Sequence, residues 1–338
     1  MLIHRRHARV RRHAEALVVE GRFAEAIDLL TNANRVRPHP EIEARLLELR
    51  RDGLGGATAA AAASWPPHVP DRFSNEANIP EVTRDQLTSE LLLSGILHHG
   101  CLLVRGLIGP ERVHQLVDDI DRAFAAYDAH ANGAPVSQTA PWFVRFDPGP
   151  DHEIHREWIR GGDGVLAADS PRAFFDVVET FEEIGMRSLL TDYLGEQPLL
   201  LAMKTTLRRV EPRGNPDWHQ DGAFMGAGIR SVDVWVSLSH CGVDAPGLDL
   251  VGRRLDGIID PGTSGAGFDW SVGASTVSQL APEGIVQPIF EPGDALLFDH
   301  LLLHRTGVHP GMTQDRYAIE AWFAAPSSYP ADQLAIAY

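Results

Sequence analysis

The sequence predicts a mainly β domain of sandwich or barrel type with flanking helices, and three observations carry that expectation. After Pro198 the chain becomes a series of short apolar runs broken by Gly and Pro, the pattern of a many-stranded antiparallel domain. Before it, apolar positions recur mostly at helical spacing. No glycine-rich phosphate loop follows an early strand, so a dinucleotide-binding sheet and a nucleotide triphosphatase both lose support.

With 338 residues there is room for one catalytic domain plus a small appendage, or for one β-rich domain with long insertions. Hydrophobic residues at 44% and charged residues at 22% describe a folded globule and not a disordered chain. A formal charge of -16, from 46 acidic and 30 basic residues, repels polyanions and argues against a general nucleic-acid binder. Cys101 and Cys241 are the only cysteines, too few for a disulfide scaffold or a thiolate cluster. The basic amino terminus runs into helical rhythm instead of a continuous apolar stretch. Neither a secretory leader nor a membrane span is expected, and the cytoplasm is the expected location.

In chain order, residues 7–50 read as paired helices. Arg5, Arg6, Arg9, Arg11 and Arg12 crowd a face that is either solvated or a docking patch. Gly21, Phe23, Ala26, Ile27, Leu30, Ala33 and Pro38 stand in the order and spacing of one tetratricopeptide unit, which this segment resembles. A solenoid needs several such units. Residues 1–60 are therefore expected to be a helical appendage packed on the main domain, with capture of a protein partner or self-association as the other reading. Residues 53–70 combine glycines, an alanine run and prolines, a candidate linker. Residues 83–99, 110–127 and 171–194 are helix-like, with a short strand at 101–104. The Pro- and Gly-rich stretch 132–169 reads as loops. Strand candidates follow at 199–210, 232–238, 248–251, 285–290, 295–298, 301–306 and 317–323.

The most informative stretch is Trp218-His219-Gln220-Asp221-Gly222. In an extended strand His219 and Asp221 point to the same face. One imidazole and one carboxylate then converge, a donor pair suited to a borderline divalent metal with open coordination positions. His304 follows Leu301-Leu302-Leu303 on a returning strand candidate and is the preferred candidate for a third donor. His300 and His309 are rivals, better read as edge or supporting polar residues.

These pieces resemble the phytanoyl-CoA dioxygenase family of iron and 2-oxoglutarate enzymes. The resemblance spans residues 83–325. It rests on Gly100-Cys101-Leu102-Leu103-Val104-Arg105-Gly106, Trp218-His219-Gln220-Asp221, Gly293-Asp294-Ala295-Leu296-Leu297-Phe298, and His304-Arg305-Thr306-Gly307 followed by Arg316. It implies a double-stranded β-helix core, jelly-roll or cupin-like, with Fe(II) on His219, Asp221 and His304. It also places the distal carboxylate of 2-oxoglutarate against Arg316, a bidentate charge partner, with the Thr306 hydroxyl beside it. Thr205 and Trp235 are further candidates for that pocket. The implied reaction consumes dioxygen and 2-oxoglutarate, releases succinate and carbon dioxide, and hydroxylates a small organic substrate.

One departure stands out. Where the family has a Pro-Gly-Ser-His region, the chain reads Pro246-Gly247-Leu248-Asp249-Leu250-Val251-Gly252-Arg253-Arg254, which puts transfer of substrate contacts in doubt. Asp221 occupies the carboxylate position that related halogenases vacate, so oxygen insertion or another oxidative outcome is expected over halogenation. Two other readings remain: a metal-dependent cupin-type enzyme without 2-oxoglutarate, and a noncatalytic binding protein acting through the amino-terminal unit.

Overall fold

The computed structural model describes residues 2–56, 65–76, 78–214, 217–262, 265–330 and 332–338; the side chains of residues 2–6, 55 and 56 are outside that description. The alanine run of the candidate linker and the Arg5 and Arg6 side chains therefore lie outside the described residues. Among those described, no helix is long and apolar enough to cross a membrane.

Three helices, Leu2–Val19, Phe23–Val36 and Pro40–Asp52, open the chain. Ala26, Ile27 and Leu30 meet Ala14, Leu17, Ile42, Leu46 and Leu49 in one small buried cluster, as their helical spacing requires. Polar bonds fasten this unit to the rest of the protein. The fully buried Glu43 carboxylate accepts from Asn34 Nδ2 at 3.1 Å and from Arg172 Nε at 2.6 Å. Arg35 pairs with Glu179, and Arg50 Nη1 donates to the Ala337 carbonyl at 2.9 Å.

Eleven strands are present among the described residues: β1 (Glu81–Thr83), β2 (Cys101–Arg105), β3 (Gly164–Leu166), β4 (Leu199–Leu201), β5 (Thr206–Val210), β6 (Ser231–Ser237), β7 (Gly247–Leu250), β8 (Ala295–Phe298), β9 (His304–Gly307), β10 (Arg316–Ala324) and β11 (Ala335–Ala337). Nine form one sheet along β1-β2-β8-β6-β10-β4-β11, with β5 beside β10 and β3 beside β5; β7 and β9 form a separate pair. Isolated bridges widen that pair, joining Leu250 to Val286, His304 to His219 and Trp218 to Val272.

Every residue of β6 is buried because both faces of the large sheet are covered. Val232, Val234 and Val236 point to the helices Pro110–Ala131 and Pro171–Glu183, joining Leu116, Ile120, Phe124, Phe174 and Val177. Trp235 points the other way, into a second cluster with Leu248, Leu250, Phe298 and Trp322. This second face is where the smaller sheet lies and where the candidate site forms.

The expected mainly β, double-stranded β-helix core, jelly-roll or cupin-like, is not what the chain builds. Among the described residues, helical ones outnumber strand ones by more than two to one, and no sheet closes into a barrel. Several apolar runs read as full strands are interrupted. The 199–210 run is broken by a 3-10 turn at Ala202–Lys204. The 285–290 run contains Pro288 and contributes only single bridges at Val286 and Phe290, as expected for a residue without an N–H for a ladder. In 301–306 the strand begins only at His304. The helix expected over 171–194 is two, parted at Gly185, whose φ of +76° suits glycine.

Candidate functional site

The site begins with a backbone bridge. Trp218 pairs with Val272 and His219 with His304, which holds residues 218 and 219 extended. The strand then ends. Asp221 is already helical (φ -62°, ψ -24°) and precedes the short helix Gly222–Met225, but its side chain makes no capping bond, so the carboxylate is left to face the two imidazoles. The same-face argument expects His219 and Asp221 to converge in an extended strand; they do converge, but through this turn. Gly222 permits the tight turn: a Cβ there would come within 3.0 Å of the His300 carbonyl and 2.9 Å of Ile258.

One ligand atom from each of His219, Asp221 and His304 lies within 4.8 Å of the others, the one such group of His, Cys, Asp or Glu among the described residues. His304 Nε2 is 3.7 Å from Asp221 Oδ2. Each histidine is oriented through its other nitrogen. His219 Nδ1 sits 3.1 Å from the Asp217 carbonyl and His304 Nδ1 3.1 Å from the Leu302 carbonyl, which assigns the proton to Nδ1 and leaves both Nε2 lone pairs for a metal. Burial, then the neighbouring His219, pushes the His304 pKa down to about 4, keeping it the neutral donor that metal binding needs. Two imidazoles and a carboxylate fit a ferrous ion.

The rivals are placed elsewhere. His300 Nε2 contacts the Ala227 carbonyl at 3.2 Å, and His309 Nε2 contacts Asp249 Oδ1 at 3.1 Å. Arg305 pairs with the same buried Asp249 and lies over the Trp218 ring. Arg254 is committed to Asp299 at 2.6 Å, and neither it nor Arg253 lines the cavity in front of the three donors.

That cavity holds about 550 Å³. Arg316, the first residue of β10, is almost fully buried in its wall. Its Nη1 donates to the Gly247 carbonyl at 2.8 Å, Nη2 is 3.5 Å from Thr306 Oγ1, and Nε has no partner. The guanidinium lies 5.4 Å from the Trp235 ring centroid. Burial, then Arg208, lowers its pKa to about 10. A buried cation with unused donor capacity is a ready seat for a carboxylate, which fits 2-oxoglutarate. Thr306 and Trp235 line the same cavity.

Thr205 does not. It is fully buried, and its hydroxyl donates to the Leu201 carbonyl at 3.0 Å. The 3-10 turn resets the register, and the cavity instead takes Thr206 and Arg208 of β5, alternate residues on one strand face. Thr206 donates to Glu320 Oε2 at 2.8 Å, and Arg208 lies 3.7 Å from the same carboxylate. Glu320 and Trp322 were legible from Arg316 by the same two-residue period, although they were not singled out.

Gln220 was also missed. Only 1% exposed, its amide donates to the carbonyls of Leu301 at 2.7 Å and Gly257 at 3.1 Å and accepts from the Ile259 N–H at 2.7 Å. It clamps the loop before His304 to the segment beyond β7. Its place between two candidate ligands was the available signal.

Residues 97–311 match the family model described as phytanoyl-CoA dioxygenase. No curated protein sequence matches the chain. Among solved structures it is similar to EctD from S. alaskensis with bound Fe (16% identity, TM-score 0.48, covering 68% of this chain and 74% of that one). It is also similar to EvdO2 from Micromonospora carbonacea var. aurantiaca (19%, 0.46, 69% and 88%). A third is the non-heme alpha ketoglutarate dependent carbocyclase SnoK from nogalamycin biosynthesis (14%, 0.45, 72% and 86%). The family match covers well over half of the chain and encloses all three convergent donors. The protein is an Fe(II)- and 2-oxoglutarate-dependent dioxygenase, and the chain belongs to the phytanoyl-CoA dioxygenase family.

Proposed function

We propose that the protein hydroxylates a C–H bond of a small organic substrate, with His219, Asp221 and His304 as the iron ligands and Arg316 and Thr306 holding the distal carboxylate of 2-oxoglutarate. The observation that carries this reading is the convergence of three ligand atoms within 4.8 Å in a cavity whose wall contains the buried, incompletely bonded Arg316. When bound, the iron would let dioxygen act as the oxidant for C–H cleavage, with 2-oxoglutarate supplying the other two electrons as it is converted to succinate and carbon dioxide. The chain's own residues do the rest. Asp217 and Leu302 carbonyls fix the imidazole tautomers, Trp235 supports the Arg316 plane, and the aromatic walls exclude water. Retention of Asp221 supports oxygen insertion over halide transfer. Residues 83–325 would form the catalytic domain. The amino-terminal residues 1–60 would be a packed appendage, a role supported by the buried Glu43–Arg172 pair.

The test is anaerobic addition of Fe(II) and then 2-oxoglutarate, read by the metal-to-ligand absorption band, followed by exposure to dioxygen with succinate measured against candidate substrates. A band together with succinate and hydroxylated product supports the proposal. Product formed without 2-oxoglutarate removes the cosubstrate role of Arg316 and Thr306, and a halogenated or rearranged product removes hydroxylation.

A further inference from the structure

We infer that the substrate is an organic acid with a flat apolar body, its anionic group docked on Lys204 and its body against the Phe224 and Trp270 rings. This rests on the iron and 2-oxoglutarate assignment above and names the substrate class for that site.

The sequence contains 29 arginines and a single lysine, Lys204. That lysine ends the 3-10 turn Ala202–Lys204 between β4 and β5, and it lines the cavity. Its half-buried ammonium lies 4.3 Å from the Phe224 ring centroid, and among the described residues no carboxylate lies within 4.0 Å of it. The other cavity charges have partners or tasks. Arg208 faces Glu320, Arg316 is assigned to the cosubstrate and Asp221 to iron, while Glu157 stands exposed at the rim. Lys204 is the remaining cation. An aromatic face orients an ammonium without neutralising it, and a compact ammonium with three rotatable donors accepts an anion from several directions where a planar guanidinium does not.

The wall beside it is aromatic. Trp270 meets Phe224 edge-on at 6.1 Å, meets His219 at 5.7 Å and stacks on the exposed Phe268 at 5.0 Å. These rings run from a candidate iron ligand outward to solvent, a surface for a planar apolar body whose acid reaches Lys204.

The experiment uses three probes of one shape: 2-naphthoate, 2-naphthyl phosphate and the neutral 2-naphthamide, titrated calorimetrically into the anaerobic protein loaded with Fe(II) and 2-oxoglutarate. At least one anion should bind about tenfold or more tighter than the amide, the scale of one charge-assisted hydrogen bond, and the tighter anion identifies the acid. Lys204→Met should abolish that preference while leaving the iron–2-oxoglutarate absorption band in place, and Lys204→Arg should keep part of it. Equal binding of the three probes, no binding of either anion, or an undiminished preference in Lys204→Met would overturn the inference. So would loss of the band in Lys204→Met, which would give the lysine to the cosubstrate instead. If the unsubstituted protein forms no band, the cosubstrate assignment fails; the same titrations on metal-free protein still read the anion preference.

Discussion

His219 and His304 exchange both hydrogen bonds of an antiparallel bridge, N–H to carbonyl at 2.9 Å one way and 3.0 Å the other, and their imidazole centroids sit 4.5 Å apart. Backbone pairing alone thus brings together two candidate ligands from distant parts of the chain. Because those bonds are main-chain, His219→Ala should keep the bridge and the far-UV circular dichroism. Its iron affinity should fall by more than about 100-fold, since even residues supporting a ligand are worth about 10–100-fold. Iron bound as tightly as before, measured by metal analysis after anaerobic reconstitution, would remove His219 from the ligand set.

Arg316 and the iron ligands should separate in binding experiments. Arg316→Met is expected to keep iron but to weaken 2-oxoglutarate by about tenfold or more, the loss of a charge-assisted contact. The Gly247 carbonyl also loses its donor, at a cost of about 1–3 kcal/mol in stability. Titration of the absorption band and thermal unfolding read the two effects separately. An unchanged cosubstrate affinity would leave Arg316 a purely structural residue.

Gln220 is expected to be a positioning residue. Gln220→Ala strands the Ile259 N–H and the Leu301 and Gly257 carbonyls, so a loss of about 2–4 kcal/mol is expected from buried groups left unpaired. The Leu301 contact lies just ahead of His304, so iron should also dissociate faster. Gln220→Glu keeps the acceptor for Ile259 but turns its other oxygen towards the Leu301 and Gly257 carbonyls, so it should recover stability only at low pH, where a protonated carboxyl donates to one of them. A variant that unfolds and releases iron as the native protein does would contradict this role.

A pH dependence follows from Asp119. Burial, then the Asp176 carboxylate, raises its pKa to about 7. Its folded value is above its unfolded value, so between about pH 4 and 7 the unfolded state ionises first and stability falls as pH rises. Above pH 7 the whole cost is present. Asp119→Asn should therefore stabilise the protein at pH 8, on the order of 1–3 kcal/mol, and have little effect near pH 4. Equal unfolding shifts at the two pH values would show that the carboxyl group does not carry this charge penalty.

The chemistry of the site was largely legible in the sequence, because it depends on residue types and short spacings. Trp218-His219-Gln220-Asp221 and the approach to His304 named the three donors that converge, and Arg316 begins the strand that returns to the same cavity. The two-residue period of a strand also held along β6, with valines toward the helices and Trp235 toward the site. What misled was the extent of the strands: apolar runs at 199–210, 285–290 and 301–306 look continuous, yet a 3-10 turn, a proline and a tight loop shorten them. A single residue of register then decided that Thr206, and not Thr205, faces the cavity.

By itself, then, the sequence determined which side chains could bind a metal and a dicarboxylate, since donor type and local spacing are properties of neighbouring residues. Only the tertiary structure decided that His219 pairs with His304, that Asp221 turns out of its strand to meet them, and that the sheets stay open beneath a larger share of helix. Those outcomes depend on contacts between segments far apart in the chain. Local periodicity carries no information about which distant partner a strand edge or a buried face will find.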